Sequence, residues 1–257
     1  MKQYFTSLLL LVLLISISSD SMAQIDTDEA ASRYNEANEL YRNDQYVAAL
    51  EIYENLIARG YDDSQLYYNA ANAAFRNNSL GTAILYLEKA RKLDPSDADI
   101  TANLEFLNSL KTDEDTANDN AVLEFMIKVY DGFNSNEAAI WSGILFFLAL
   151  MFLSVAFFVS GWNRNTVLSI GAVTLLLSFI STGMLIEKLQ RENTVVEAVL
   201  LADEALAFSG PGDDNTHIFT IHEGTKVTIE RSQGEWSLIR LKSGSGGWIK
   251  SDSISVI

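Results

Sequence analysis

Two long uncharged stretches stand almost back to back in the chain. Ala138 to Ser160 carries no charge over 23 residues, Thr166 to Ile186 carries none over 21, and only Gly161-Trp162-Asn163-Arg164-Asn165 separates them. A bilayer core of about 30 Å needs about 20 apolar residues as a helix, so each stretch is long enough to span. A five-residue connection can only turn the chain around. The pair therefore reads as a transmembrane hairpin, spans 138–160 and 166–186, and the segments before and after it are expected on the same side. A buried helical pair in a soluble core is the competing reading, and uncharged runs of this length are rare there.

The N-terminus bears on which side. Lys2 is followed by Leu8-Leu9-Leu10-Leu11-Val12-Leu13-Leu14-Ile15 and then by Ser21-Met22-Ala23. A charged start, a short apolar run and a small-x-small site form the pattern of a secretory signal peptide, residues 1–23. Cleaved, or retained as an anchor with its N-terminus inside, it exports residues 24 onward, and the hairpin then exports the C-terminal region too. Flank charges vote the other way: Arg164 in the connection stands against Lys128, Lys188 and Arg191 outside it. One Arg in so short a loop is the weaker signal, so the leader decides the orientation.

Cysteine is absent, which excludes disulfides, thiolate metal sites and a cysteine nucleophile. The formal net charge is −16; residues 25–120 contribute −11 and residues 187–257 contribute −4. A surface this acidic repels nucleic acid and anionic headgroups, which excludes a nucleic-acid partner and suits a solvated exported domain.

Residues 34–57 and 68–91 align without a gap at a shift of 34. Ala37 falls on Ala71, Asn38 on Asn72, Tyr41 on Phe75, Arg42 on Arg76, Ala49 on Ala83, Leu50 on Ile84, Tyr53 on Leu87 and Glu54 on Glu88. With Leu93-Asp94-Pro95 closing the second copy, this resembles the tetratricopeptide repeat, whose period is 34. Ala71 and Ala83 let paired helices approach, Leu80 and Leu87 fill between them, and Pro95 ends the second helix. Gly60 ends the first copy as a C-terminal cap. A further helix is expected with Ser96 as its N-cap and Ile100, Leu104 and Leu107 on its apolar stripe, closing an array over 25–111. Two copies are short for such an array, so either it is marginal alone or something covers one of its ends.

The resemblance implies binding of extended peptides or protein surfaces. The positions matching the ligand-facing ones are Tyr34, Asn38, Tyr41 and Arg42 in the first copy, and Tyr68, Asn72, Phe75 and Arg76 in the second. An Asn amide can donate and accept at once, aromatics supply flat apolar surface, and Arg can pair with a carboxylate. The lysines of a carboxylate clamp are missing. Tyr53 and Leu87 read as core.

Residues 112–120 are polar and acidic and read as a flexible linker. Within the segment 121–134, residues 121–133 are apolar apart from Glu124, Lys128, Asp131 and Gly132, and the three charges fall on one narrow helical stripe. That suits an amphipathic interfacial helix with Phe125, Met126, Val129 and Tyr130 toward lipid, or one docked on the array. Within the spans, Ser142, Ala149 and Ala156 recur every seven residues and Thr174, Ser178 and Thr182 every four, spacings that permit close helix contact. Neither span holds an Asp, Glu, Lys, Arg or His, which argues for an anchor and against a transport path.

Past Arg191 the periodicity changes to two. Short strands are expected over 195–201, 206–208, 217–221, 226–231, 236–241, 248–250 and 253–257, separated by Gly-rich turns. Ser209-Gly210-Pro211, His222-Glu223-Gly224-Thr225-Lys226-Val227, Gly234-Glu235-Trp236 with Ile239, and Gly247-Trp248-Ile249 together resemble a bacterial SH3-like domain, residues 193–257. Members of that family often bind peptides or cell-wall fragments, so Trp236 and Trp248 are candidate contact residues, with partial core burial the competing reading. His217 and His222 have no third ligand nearby, so no metal is expected. No catalytic constellation and no cofactor motif stands out, and an enzyme is not expected.

The fold class is thus multi-domain: an all-α array, a two-helix transmembrane hairpin and an all-β SH3-like barrel. In that order the chain resembles the BatE-type proteins of the Bacteroides aerotolerance operon. The resemblance implies a scaffold in the bacterial inner membrane with both soluble regions in the periplasm. It also implies partnership with membrane-anchored von Willebrand factor A domain proteins and a role in aerotolerance or envelope stress. A peptidoglycan-binding sensor acting through the SH3-like domain is the alternative.

Overall fold

The computed structural model of the chain describes residues 28–113 and 129–257. The expected signal peptide, most of the expected linker and the expected interfacial segment up to residue 128 lie outside the described residues. Two compact units result, Met1–Ser79 and Leu80–Ile257. The boundary falls inside the second 34-residue copy.

The first unit is helical: α1 over residues 28–42, α2 Tyr46–Ala58 and α3 Ser64–Arg76. Its core is small and tight, with Ala37, Ala49, Ala70, Ala71, Ala73 and Ala74 at 0–1 % exposure beside Tyr53, Leu56 and Leu66. Gly60 stops α2 at φ +89, and the Tyr61 amide reaches back to the Leu56 carbonyl, the Schellman pattern expected of a glycine there. Asp63 starts α3 by accepting from the Gln65 and Leu66 amides, at 3.0 Å each.

The second unit begins with α4 Leu80–Leu93 and α5 Ala98–Ser109. The expected N-cap of α5 is one residue off. Asp97 caps it, accepting from the Asp99 and Ile100 amides at 2.8 and 3.2 Å, while Ser96 turns back to Asp94. A carboxylate at this place also favours the positive end of the helix dipole. Ile100, Leu104 and Leu107 are buried, while Phe106 is exposed.

Two helices long and apolar enough to cross a membrane come next, α6 Ser135–Val155 and α7 Trp162–Thr194. The connection is residues 156–161, earlier than the expected one, because α7 already starts at Trp162. It also runs well past Ile186, carrying Glu187, Lys188, Arg191 and Glu192 in the same helix. The seam holds Ser142 and Ala149 from α6 and Ala156 just past its end, all buried, and Gly171 and Ser178 from α7. Ser142 Oγ lies 2.7 Å from Ser181 Oγ across it. The seven-residue spacing therefore holds on both helices. Of the four-residue series only Ser178 is buried: Thr174 is half-buried, Thr182 is exposed, and their hydroxyls bond carbonyls of their own helix. Phe147, Phe157, Phe158 and Phe179 are at least 67 % exposed, an outward apolar surface suited to lipid rather than water.

Residues 129–134 correct one expectation. Tyr130 does not face outward with Val129: its hydroxyl bonds Glu187, its ring lies 5.0 Å from the Lys188 ammonium, and Lys188 also donates to the Tyr130 and Phe133 carbonyls. Asn134 then opens α6 with a capping box, its side chain accepting from the Glu137 amide while the Glu137 carboxylate accepts from the Asn134 amide.

The last part is an antiparallel sheet of strands β1 Val196–Leu200, β2 Glu204–Phe208, β3 His217–His222, β4 Lys226–Gln233, β5 Trp236–Arg240, β6 Gly246–Lys250 and β7 Ile254–Val256. Their order is β3-β2-β6-β5-β4-β1-β7. All seven expected strands are present, with ends shifted by up to two residues. One face forms the core, from Ala198, Leu200, Ala205, Ala207, Ile221, Val227, Ile239 and Ile249. Alternation makes Val199 point away from that core, yet it too is fully buried, and α4 lies against β1.

Candidate functional site

Three groups of side chains are built closely enough to be candidate sites. The first lies between α1 and α3. Asn38 Oδ1 accepts from the Tyr53 hydroxyl at 2.7 Å and from Asn69 Nδ2 at 3.1 Å, and Asn69 Nδ2 also reaches the Tyr34 hydroxyl at 2.6 Å. The Tyr34 and Tyr53 rings are 6.0 Å apart and tilted. Both acceptor positions of the Asn38 carbonyl are therefore occupied within the protein. Burial raises both tyrosines above their ordinary value; Tyr53 is the donor to Asn38, and Tyr34 accepts from Asn69. Asn69 is the residue the sequence pattern did not single out. Its signal is its place one turn before Asn72, on the same side of α3.

A second set, further along α1, is aromatic and cationic. Tyr41 and Tyr46 meet edge-on at 5.2 Å, the Arg76 guanidinium sits 4.5 Å from the Tyr46 ring centre and 3.9 Å from Asp44, and the Tyr46 hydroxyl bonds Asp44. Of the expected ligand-facing residues, Tyr41 and Arg76 are brought into this cluster. Arg42 stays on the exposed surface, paired with Glu39, and Tyr68, Asn72 and Phe75 are half-buried on α3.

The third lies on the sheet face opposite the core. Trp248 is only 5 % exposed, so its ring offers little surface to a partner. Its cross-strand neighbours are Phe208 and Leu238, and Arg231 lies 5.0 Å from its ring centre. Trp236 is half-buried, edge-on to Phe208 at 5.7 Å and with Lys250 at 5.9 Å. Of the two tryptophans, Trp236 alone keeps appreciable surface. The sequence pattern does not single out Phe208, Arg231 or Lys250; alternation places Phe208 and Lys250 outward once Ala207 and Ile249 are inward, and the register shift between Ile229 and Arg231 turns Arg231 to the same face.

The β3–β4 turn, within the His222-to-Val227 motif, carries a polar cluster whose partners that motif does not reveal. Glu223 Oε1 accepts from the Gly81 amide at 2.7 Å. Asp113, just after α5, accepts from the His222 amide at 2.7 Å, from His222 Nδ1 at 2.9 Å and from the Thr225 hydroxyl at 2.7 Å. Beneath the turn Lys226 bridges Glu88 at 3.1 Å and Glu197 at 2.8 Å, and Arg91 pairs with Glu88 at 2.6 Å. Burial works to raise the Glu88 carboxyl, but Lys226 and Arg91 outweigh it and hold it below the usual carboxylate range. Burial likewise opposes the ionised form of Asp113, and the hydrogen bonds from Thr225 and His222 together lower it. His217 contacts Thr220, and among the described residues no group of three or more His, Asp or Glu side chains is placed to hold a metal ion.

A scan of the chain against protein-family models finds no match, and a search of curated proteins finds no significant one.

Proposed function

We propose that the protein is a non-enzymatic scaffold anchored in the bacterial inner membrane by the α6–α7 hairpin, with its helical and β parts both in the periplasm. On this reading the helices form a tetratricopeptide-type array, and an extended segment of a partner protein lies along α1 and α3. The β part is an SH3-like module. The observation that carries the reading is the Tyr41, Tyr46 and Arg76 cluster, where flat aromatic surface and a guanidinium stand on one side of a small helical unit. Aromatics with Arg are the residue types that dominate protein recognition. The architecture's resemblance to BatE-type proteins supports membrane-anchored von Willebrand factor A domain proteins as the partners, in aerotolerance or envelope stress.

The test is a photo-crosslinking residue at Tyr41 in the full-length protein in intact cells, with Arg164 as the control position. A discrete adduct from Tyr41 that is lost in the Arg76→Ala background supports the scaffold. Absence of any protein adduct from Tyr41 would sink it.

The half-buried Trp236 between Phe208 and Lys250 favours a second reading, a module that contacts peptidoglycan. Full-length protein in detergent should then be retained on purified sacculi and released by Trp236→Ala. Trp248→Ala is the poorer test, since that ring is buried.

A further inference from the structure

Two glycines from distant parts of the chain face each other's elements at contact distance. A Cβ on Gly81, in the first turn of α4, would stand 2.6 Å from the Leu200 carbonyl oxygen and 2.9 Å from Glu223 Cγ. A Cβ on Gly224, at φ +82 in the β3–β4 turn, would stand 2.6 Å from Ile84 Cδ1. Neither position admits a side chain without movement of its neighbour. Glycine forms helix less readily than alanine, so at Gly81 helix propensity is given up to let a strand approach.

The contact is specific as well as close. Gly81, Ile84 and Glu88 lie at helical positions i, i+3 and i+7, one face of α4. Gly81 admits the strand, Ile84 meets the turn, and Glu88 joins Lys226 and Glu197. Glu223 places its carboxylate on the first turn of α4, where Asp63 and Asp97 serve α3 and α5 from their own chain neighbours. The same turn also binds Asp113, so residues His222 to Thr225 hold the start of α4 and the residue beyond α5 together. At its other end, the Leu93 carbonyl of α4 accepts from Asn134 Nδ2 at 3.1 Å, just where α6 begins.

We propose that the β module is a helix-docking unit whose bound helix is supplied by the same chain. The surface made by Val199, Glu223, Gly224 and Lys226 receives the Gly81, Ile84 and Glu88 face of α4, and this docking keeps the α4–α5 pair folded. A covered end is what a short helical array requires. The inference stands whatever partner the rest of the molecule binds.

The experiment is peptide-resolved hydrogen exchange on the full-length protein in detergent, comparing wild type with Gly81→Ala. Alanine strengthens an isolated helix and slows its exchange. In a docked helix the added Cβ meets the Leu200 carbonyl. The expected result is exchange at least about fivefold faster in α4 and α5, with β5 and β6 unchanged. Slower or unchanged exchange in α4 overturns the proposal. Should Gly81→Ala expose the sheet as well, Asp113→Asn decides, because it touches only the turn. Exchange in the last turn of α5 should then rise about threefold with the sheet unaffected, and no change there overturns the docking.

Discussion

The second helices of the two 34-residue copies, α2 and α4, start from one pattern and end in different surroundings. In α2 burial is confined to a stripe, Ala49, Leu50, Tyr53 and Leu56. In α4 it spreads from Ala83, Ile84, Leu87 and Ala90 to Gly81, Leu85, Tyr86 and Glu88. At matched positions Val47, 54 % exposed, becomes the buried Gly81; exposed Glu51 becomes the buried Leu85; exposed Glu54 becomes the buried Glu88. Both helices share the stripe of Ala49 and Ala83, Leu50 and Ile84, and Tyr53 and Leu87. The outer face differs because α5 and β1 lie against α4. A repeat therefore states its inward packing in every copy, and its outward packing only where copies disagree.

The largest effect that tests this contrast comes from restoring the first copy's residue in the second. Leu85→Glu places a carboxylate at a site 4 % exposed and should cost about 3 kcal/mol or more, read as a lower apparent Tm of the full-length protein in detergent. Little or no shift would mean that the outer face of α4 is not buried in solution.

Next is Lys226→Met. Glu88 keeps Arg91 but loses the ammonium at 3.1 Å, and stability should fall by about 2–3 kcal/mol in denaturant unfolding. A neutral result would show the ion pair to be replaceable by packing.

Acid should act on the same contacts. Glu88, facing Lys226 and Arg91, and Asp113, facing His222 and Thr225, are both held below ordinary carboxylate values. A lowered folded pKa contributes stability that is present above the unfolded value, about pH 4, and is lost as pH falls through the folded one. Protection of α4 and α5 in hydrogen exchange, corrected for intrinsic rates, should thus decline below about pH 4. In Lys226→Met that decline should begin at higher pH. Identical acid profiles for the two proteins would contradict the assignment.

Smaller still is Tyr53→Phe, which deletes the hydroxyl given to Asn38 and should cost about 1 kcal/mol by thermal unfolding. Leu87, the matching residue in α4, has no hydroxyl to lose. The least effect belongs to Glu51→Leu on the exposed side of α2, expected within about 0.5 kcal/mol of wild type.

Much of the architecture was legible in advance because it depends on local periodicity. The spans follow from uncharged runs, the strands from alternation, and the α2 stop from Gly60. The site was less legible. The repeat register points to Tyr41 and Arg76, and it also pairs Asn69 with an identical Asn35 and Tyr46 with Leu80, but it does not say that Asn69, Tyr46 and Asp44 complete those clusters. Trp236 and Trp248 look alike as sequence, and only the strands beside them make one half-open and the other buried. The N-cap of α5 moved from Ser96 to Asp97, a competition between adjacent polar residues that propensity does not resolve.

By itself the sequence determined which segments are helix, strand or apolar span, because backbone hydrogen bonding and side-chain periodicity act over a few residues. It also carried a mark of the close approach: a glycine at position 81 where the first copy has Val47. Only the tertiary structure decided what meets that altered face. Gly81 and Glu223, or Asp113 and His222, are more than a hundred positions apart, and no short-range rule relates them. Their contact exists because a close backbone approach and a buried charge network both require partners that chain folding alone brings together.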